Sequence, residues 1–212
     1  MTARAAHAPT PDTLFGTLAA RAQVDRGLRL AAVLFVTALT AAAAQISIPL
    51  PFTPVPFTLQ PMVVLLGGAA LGARLGMTSQ ALYLLIGIAG FPVFAASPFL
   101  PQGLLRLLGP TGGYLLSYPF AAFLVGALAE RGFDRRYHTS VLAMTAGLGV
   151  VFAFGVAWLA WFAQPAPAGL RGALYTGVYP FLPADLVKIC LASAVMPAIW
   201  KVVGRPRSRS DR

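Results

Sequence analysis

The sequence predicts an all-α integral membrane protein with six transmembrane helices and both termini on the cytoplasmic side. Three observations carry the prediction. Apolar residues make up 58% of the 212 residues and charged residues only 10%, against about 25% charged in ordinary soluble domains. Too few charges are available to cover a water-soluble fold of this size, and the mean hydropathy of +0.74 agrees. The apolar residues also gather into runs that suit a bilayer. Finally, threading those runs back and forth places the basic residues almost entirely on one side.

Residues 1–27 are polar to mixed and carry Arg4, Arg21 and Arg26. They read as a cytoplasmic arm that ends in a short surface helix. The first span runs from Leu28 to Ile48, with Arg29 near its start and Gln45 near its end. Ala41 to Ala44 resemble a signal-peptide cleavage site, but the preceding arm is long for that role and no soluble domain follows. Five prolines between positions 49 and 61 then forbid a helix, because each lacks a donor and restricts its predecessor. The segment is uncharged and still apolar, so it reads as a stiff cap folded over other spans on the outer side.

Met62 to Gly72 and Leu75 to Gly90 are two short apolar stretches that meet at Arg74, each short for a straight span. Gly68, Gly72 and Gly76 recur every four residues, a spacing that lets helix backbones approach closely in lipid. Phe91 to Gly113 is rich in Pro and Gly, with Arg106 its one charge. Tyr114 to Ala129, Val141 to Phe162 and Phe181 to Val203 complete six spans, with a loop at Ala163 to Tyr179. The domain plan is therefore an arm at 1–27, a membrane domain at 28–203 and a basic cytoplasmic tail at 204–212.

The net charge of +10 could suggest nucleic acid, but the basic residues sit in tails and short loops between apolar runs, which is the pattern of membrane orientation. Thirteen of the sixteen Lys and Arg fall on the proposed cytoplasmic side. Arg106 and Arg171 fall outside, and Lys188 lies within a span. That ratio places both termini inside. The single cysteine, Cys190, can form neither an internal disulfide nor a multi-cysteine metal site. His7 and His138 have no metal spacing, and no phosphate loop occurs, so neither a metal nor a cofactor is expected.

Asp185 and Lys188 stand out. They sit three apart near the outer end of the last span, on one helix face. A charge in hydrocarbon costs about 2.5–3.5 kcal/mol on insertion scales, so each needs a partner or a cavity. One reading is a mutual ion pair that only locks the helix; the other is a polar ligand site open from outside. The second constellation is Gly109-Pro-Thr-Gly-Gly-Tyr114. Gly112 and Gly113 at the mouth of a span allow close backbone approach, or they simply make a turn. Gln80 and Tyr83, three apart, could line the same cavity or serve packing and an interhelical hydrogen bond. Gln45, Thr53, Thr58 and Gln60 border the cap. Trp158, Trp161 and Trp200 read as interface anchors or core. No Ser-His-Asp set or paired carboxylates stand out, which argues against an intramembrane enzyme. A channel or structural oligomer would bind no small ligand tightly.

Gln45-Ile-Ser-Ile-Pro-Leu-Pro-Phe-Thr-Pro-Val-Pro-Phe-Thr-Leu-Gln60 resembles the first-loop signature of the BioY family, the biotin-binding S components of energy-coupling factor (ECF) transporters. Tyr83-Leu-Leu-Ile-Gly-Ile-Ala-Gly-Phe-Pro-Val-Phe-Ala95, Gly109-Pro-Thr-Gly-Gly-Tyr114 and Pro183-Ala-Asp-Leu-Val-Lys188 match in the same order. A capture component for another vitamin would share the architecture but not these four blocks. The resemblance implies the S-component fold, a multi-pass protein of the bacterial inner membrane that captures biotin from outside. It further implies uptake with a transmembrane coupling protein and ABC-type ATPase subunits. In the family an Ala-x-x-x-Ala patch on the first helix docks on the coupling protein; Ala38 and Ala42 match that spacing. Assembly of several copies is left open. On this reading Asp185 accepts from a ureido N–H and Lys188 donates to the ureido oxygen or the carboxylate. The apolar ring lies against Phe52, Phe57 and Tyr83, with Gly112, Gly113, Tyr114 and Gln80 completing the site under the proline cap.

Overall fold

The computed structural model describes residues 13–21, 26–97, 101–163 and 168–203. The residues before Thr13, with Arg4 and His7, and the basic tail at 204–212 lie outside the described residues. Thr13 starts the first helix, α1 (Leu14–Arg21), where its hydroxyl accepts from the Gly16 amide at 3.0 Å, the usual role of an N-cap threonine. This is the short helix expected at the end of the arm. It does more than lie on the surface: Leu14 joins the main core, and α1 packs against α3.

Helix α2 (Arg26–Gln45) buries Val33, Val36, Thr37, Thr40, Ala43 and Ala44, a three-and-four spacing that makes one face. The opposite face, with Leu34, Phe35, Ala38, Leu39 and Ala42, is exposed. The proline-rich segment that follows forms no helix. Ser47–Ile48 (β1) and Phe57–Thr58 (β2) pair antiparallel, Ser47 opposite Thr58 and Ile48 opposite Phe57, and the prolines between them form the hairpin's tip.

Helix α3 (Gln60–Leu71) starts with Pro61 in its first turn, where a missing N–H costs nothing. Gly72, at φ +87°, ends it and turns the chain into α4 (Ala73–Ile88). A side chain at Gly72 would be strained by that backbone and would crowd Thr13 and the Glu130 carboxylate. The first amide of α4 donates instead to Glu130 Oε1 at 2.9 Å. At 1.5 Å per residue, α3 and α4 measure about 18 and 24 Å, short of the ~30 Å hydrocarbon core. The four-residue glycine spacing serves close packing: a Cβ on Gly68 would come within 2.5 Å of the Ala122 carbonyl oxygen on α6, and one on Gly76 within 2.9 Å of Gly68 Cα.

A short helix, α5 (Leu105–Leu108), precedes α6 (Gly112–Glu130). A 3-10 turn at Phe133–Arg135 leads to α7 (Tyr137–Trp161), and α8 (Gly169–Gly177) leads to α9 (Leu182–Val203). Helix α8 occupies the segment expected to be a loop. Pro165 and Pro167 precede it, and a nine-residue helix needs only the small buried face that Ala173 and Gly177 supply. Helix α6 is the central one, with 67% of its apolar window buried against 33–39% for α2, α7 and α9. It packs on α3, α4 and α7.

Among the described residues, four helices are long and apolar enough to cross a membrane: α2, α6, α7 and α9. Leu34, Phe35, Leu142, Val187 and Leu191 all point outward from them. In water such faces would associate, whereas in hydrocarbon they are simply solvated. Trp200 is core, Trp161 is exposed, and Trp158 donates to the Gly109 carbonyl at 3.0 Å.

Candidate functional site

The first turns of α9 carry Asp185 and Lys188 three residues apart, and the structure joins them in a buried ion pair. Neither faces the exposed side of the helix. The Lys188 ammonium also donates to the Thr58 carbonyl of β2 at 2.8 Å and sits 4.1 Å from the centre of the Phe57 ring. Phe57 in turn stacks parallel to Phe181, one turn before Asp185, with 6.5 Å between ring centres. The hairpin is thus fastened to α9 through a charge.

Beside the pair opens a cavity at one end of the bundle. Val55, Pro56 and Thr58 of the hairpin roof it, and Gln60 opens α3 at its edge. Thr111, Tyr114, Leu115 and Tyr118 come from the start of α6, and Val151 and Phe152 from α7. Phe94, Ala95 and Arg106 close it from the segment between α4 and α6. Thr53 Oγ1 donates to the Thr176 carbonyl of α8 at 2.6 Å, so the roof has a second fastening.

The structure brings together part of the set expected from sequence. Asp185, Lys188 and Tyr114 line the cavity, and Phe57 borders it through its contact with Lys188. Tyr114 also donates to the Gly177 carbonyl at 2.8 Å. Phe52 does not reach the cavity: it is 61% exposed in the turn of the hairpin. Gly112 and Gly113 are not among the lining residues. A Cβ on Gly112 would collide with the Leu107 carbonyl, and one on Gly113 with Trp158 and the Phe154 carbonyl. Their smallness is spent on docking α6 against α5 and α7. Gln80 is fully buried away from the cavity, where its amide donates to Thr40 Oγ1 on α2 at 3.1 Å. Tyr83 lies behind the wall, edge-on to Phe94 with ring centres 5.6 Å apart. Ala38 and Ala42 sit far from this chemistry on the exposed face of α2.

The sequence leaves open whether Arg106 or Arg171, the two outer cations, reaches a ligand carboxylate; Arg106 lines the cavity at 1% exposure. Its Nε and one terminal nitrogen donate to the Pro101 and Ala95 carbonyls at 2.9 and 2.8 Å, which leaves three of a guanidinium's five donors. Burial pulls its pKa below the ordinary guanidinium value, from a starting point so high that the charge is kept at neutral pH. Arg171 does not line the cavity; it lies over the Tyr175 ring of α8. Thr111 is the second addition. It occupies the N-cap position of α6, yet its hydroxyl makes no capping bond and is buried without a hydrogen-bond partner. Asp185, Lys188 and Arg106 give the cavity a formal charge of about +1, which suits a ligand with one negative charge.

Fold and site together define an integral membrane protein that holds a polar, water-shielded pocket at one end of a helical bundle. The BioY family model matches residues 18–205, and the chain belongs to that family. It is 41% identical to the probable biotin transporter BioY of Pyrococcus horikoshii over 73% of this chain and 85% of that protein. It is 39% identical to the biotin transporter BioY of Thermotoga maritima over 78% and 92%, and 34% identical to that of Rhizobium etli over 82% and 91%. A crystal structure of the S-component for biotin from an ECF-type ABC transporter superposes with a TM-score of 0.72 at 25% identity. The match covers 84% of this chain and 95% of that one. The chain is a multi-pass protein of the cell membrane.

Proposed function

We propose that this chain is the substrate-capture component of an ECF transporter and binds biotin from the outer side, in the cavity beside Asp185 and Lys188. It is not an enzyme. The observation that carries the reading is a buried acid–base pair, with a second buried cation in Arg106, around one small cavity in a protein otherwise built for lipid. Ionisable groups are held at such depth for a polar cargo or for each other, and a mutual pair alone would not need Arg106.

Biotin offers two ureido N–H donors, a ureido carbonyl, an apolar thioether ring and a carboxylate. Asp185 accepts from one ureido N–H, and Lys188 donates to the ureido oxygen. Arg106, rather than Arg171, meets the carboxylate. Phe94, Phe181 and Val151 supply the apolar wall first assigned to Phe52 and Tyr83. Each charge-assisted hydrogen bond is worth about 1.5–3 kcal/mol in such a site.

In this reading α2, α3, α4, α6, α7 and α9 are the six transmembrane helices, and both termini are cytoplasmic, as the thirteen-to-two charge count favours. The exposed face of α2 around Ala38 and Ala42 docks on the transmembrane coupling protein, which in turn carries the ATPase subunits. The test is to purify the protein without added ligand, look for co-purified biotin by mass spectrometry, and titrate the emptied protein by calorimetry. Tight one-to-one binding supports the reading; absence of binding in a folded preparation defeats it.

A further inference from the structure

Gln60 is the one carboxamide side chain lining the cavity among the described residues, and its amide has a fixed polarity. Tyr83 Oη lies 3.1 Å from the Val93 carbonyl and 2.6 Å from Gln60 Nε2. A carbonyl can only accept, and a phenol has one proton, so Tyr83 gives its proton to Val93. It must then accept at its other contact, which requires the NH2 end of Gln60. The carboxamide oxygen is therefore directed away from Tyr83.

A second observation sets Gln60 beside the ion pair. Thr58 binds both sides of the site: its carbonyl takes the Lys188 ammonium, and its hydroxyl takes the Gln60 amide proton of the backbone at 3.3 Å. The lining residues then run Asp185, Lys188 and Gln60, and with the Gln60 oxygen on the side away from Tyr83 their groups read carboxylate, ammonium, carboxamide: acceptor, donor, acceptor. A cyclic urea presents the complement, N–H, carbonyl, N–H.

We propose that Gln60 Oε1 is the acceptor for the second ureido N–H, and that Tyr83 is a positioning residue that sets the amide's polarity. The proposal rests on the biotin reading above. Tyr83 touches no ligand and acts only by denying Gln60 its alternative orientation. The selectivity this builds is for a ring that donates on both flanks of a carbonyl.

The test pairs protein variants with ligands. Biotin and its two mono-N-methyl ureido isomers are titrated into the native protein, Gln60→Met, Gln60→Glu, Tyr83→Phe and Asp185→Asn. Thermal unfolding verifies that each variant folds. Each isomer lacks one donor, and one hydrogen bond in a dry site is worth roughly tenfold in affinity. The expected result is that Gln60→Met weakens biotin by about that factor and erases the penalty for one isomer only, while Asp185→Asn, which keeps an acceptor but loses the charge, weakens biotin and reduces the penalty for the other isomer. Tyr83→Phe should erode the same isomer's penalty as Gln60→Met, whereas a merely structural loss would weaken all three ligands equally. Gln60→Glu keeps an acceptor and should preserve discrimination. Native penalties in Gln60→Met overturn the assignment of Gln60, and native penalties in Tyr83→Phe overturn the positioning role. Failure of the native protein to bind biotin would defeat the functional reading instead.

Discussion

Asp185 is buried in an ion pair that lines the cavity, so if the proposed site is right, removing its charge should separate affinity from folding. Asp185→Asn keeps the shape and an acceptor but loses the charge. Biotin binding should weaken roughly 10- to 150-fold, one charge-assisted hydrogen bond, with the helical content unchanged by circular dichroism. Thr111 predicts the opposite coupling. Its hydroxyl is buried without a hydrogen-bond partner, so Thr111→Val should raise thermal stability slightly, by about 1 kcal/mol. If the hydroxyl serves the ligand, the same change lowers biotin affinity several-fold; differential scanning fluorimetry and calorimetry on one preparation read both. The acid–base pair was legible in the sequence because charge inside an apolar run is rare enough to need a reason. Arg106 and Gln60 were legible only in part: the sequence offers Arg106 and Arg171 as two outer cations and Gln60 as one of four polar residues at the cap, and the fold selects Arg106 and Gln60 by placing them in the cavity wall. Gln80 was misleading for the opposite reason: its spacing from Tyr83 suggested a shared cavity, but α2 lies on that side of α4 and takes its amide.

At the scale of elements, close helix packing depends on positions where no side chain fits. Gly68→Ala would push a methyl to 2.5 Å from the Ala122 carbonyl oxygen and pry α3 from α6. A loss of about 1–3 kcal/mol is expected, seen as a lower melting temperature in detergent. Gly149, on the exposed face of α7, has nothing within 4 Å of a built Cβ, so Gly149→Ala should stabilise by up to about 1 kcal/mol. The 3-10 turn between α6 and α7 carries a different liability. Asp134 is buried there, and Trp200 Nε1 donates to it at 2.5 Å while Arg135 lies over the same indole. Burial raises the Asp134 pKa despite the Trp200 and Arg135 contributions that lower it. The folded state therefore holds the proton more tightly than the unfolded one. Stability from this group is full below the unfolded pKa and falls as pH rises through the folded one. Asp134→Asn should remove that acid-side slope and gain stability at neutral pH, read from tryptophan fluorescence during unfolding. Helix positions were legible to within a few residues, because apolar run length reports directly on span length. Helix α8 was not, since its composition is that of a linker and its buried face is two small residues.

At the scale of the whole molecule two surfaces are proposed to divide the labour: a vitamin site under the proline hairpin, and a partner site on the exposed face of α2. Replacing Ala38 and Ala42 together by leucine should abolish co-purification with the coupling protein and ATPase subunits while leaving biotin affinity within about twofold. Loss of both together would merge the two surfaces into one. Four sequence blocks in the family's order pointed to the family, yet three of those blocks carry residues that do not line the cavity. Gly112 and Gly113 seat a helix, Tyr83 stands behind a wall, and Phe52 lies outside it. A motif can identify a fold without each of its letters touching cargo, because docking of elements constrains sequence as tightly as chemistry does.

The contact between Lys188 and Thr58 has a consequence for how such a pocket fills. An ammonium has three protons; one faces Asp185, one is held by the hairpin's own backbone, and the third is left for whatever arrives. If the proposed site is right, cargo and canopy would share a single cation. A ligand that took the third proton would then join hairpin, helix and cargo through one nitrogen, so that biotin would tighten the hairpin's hold on α9.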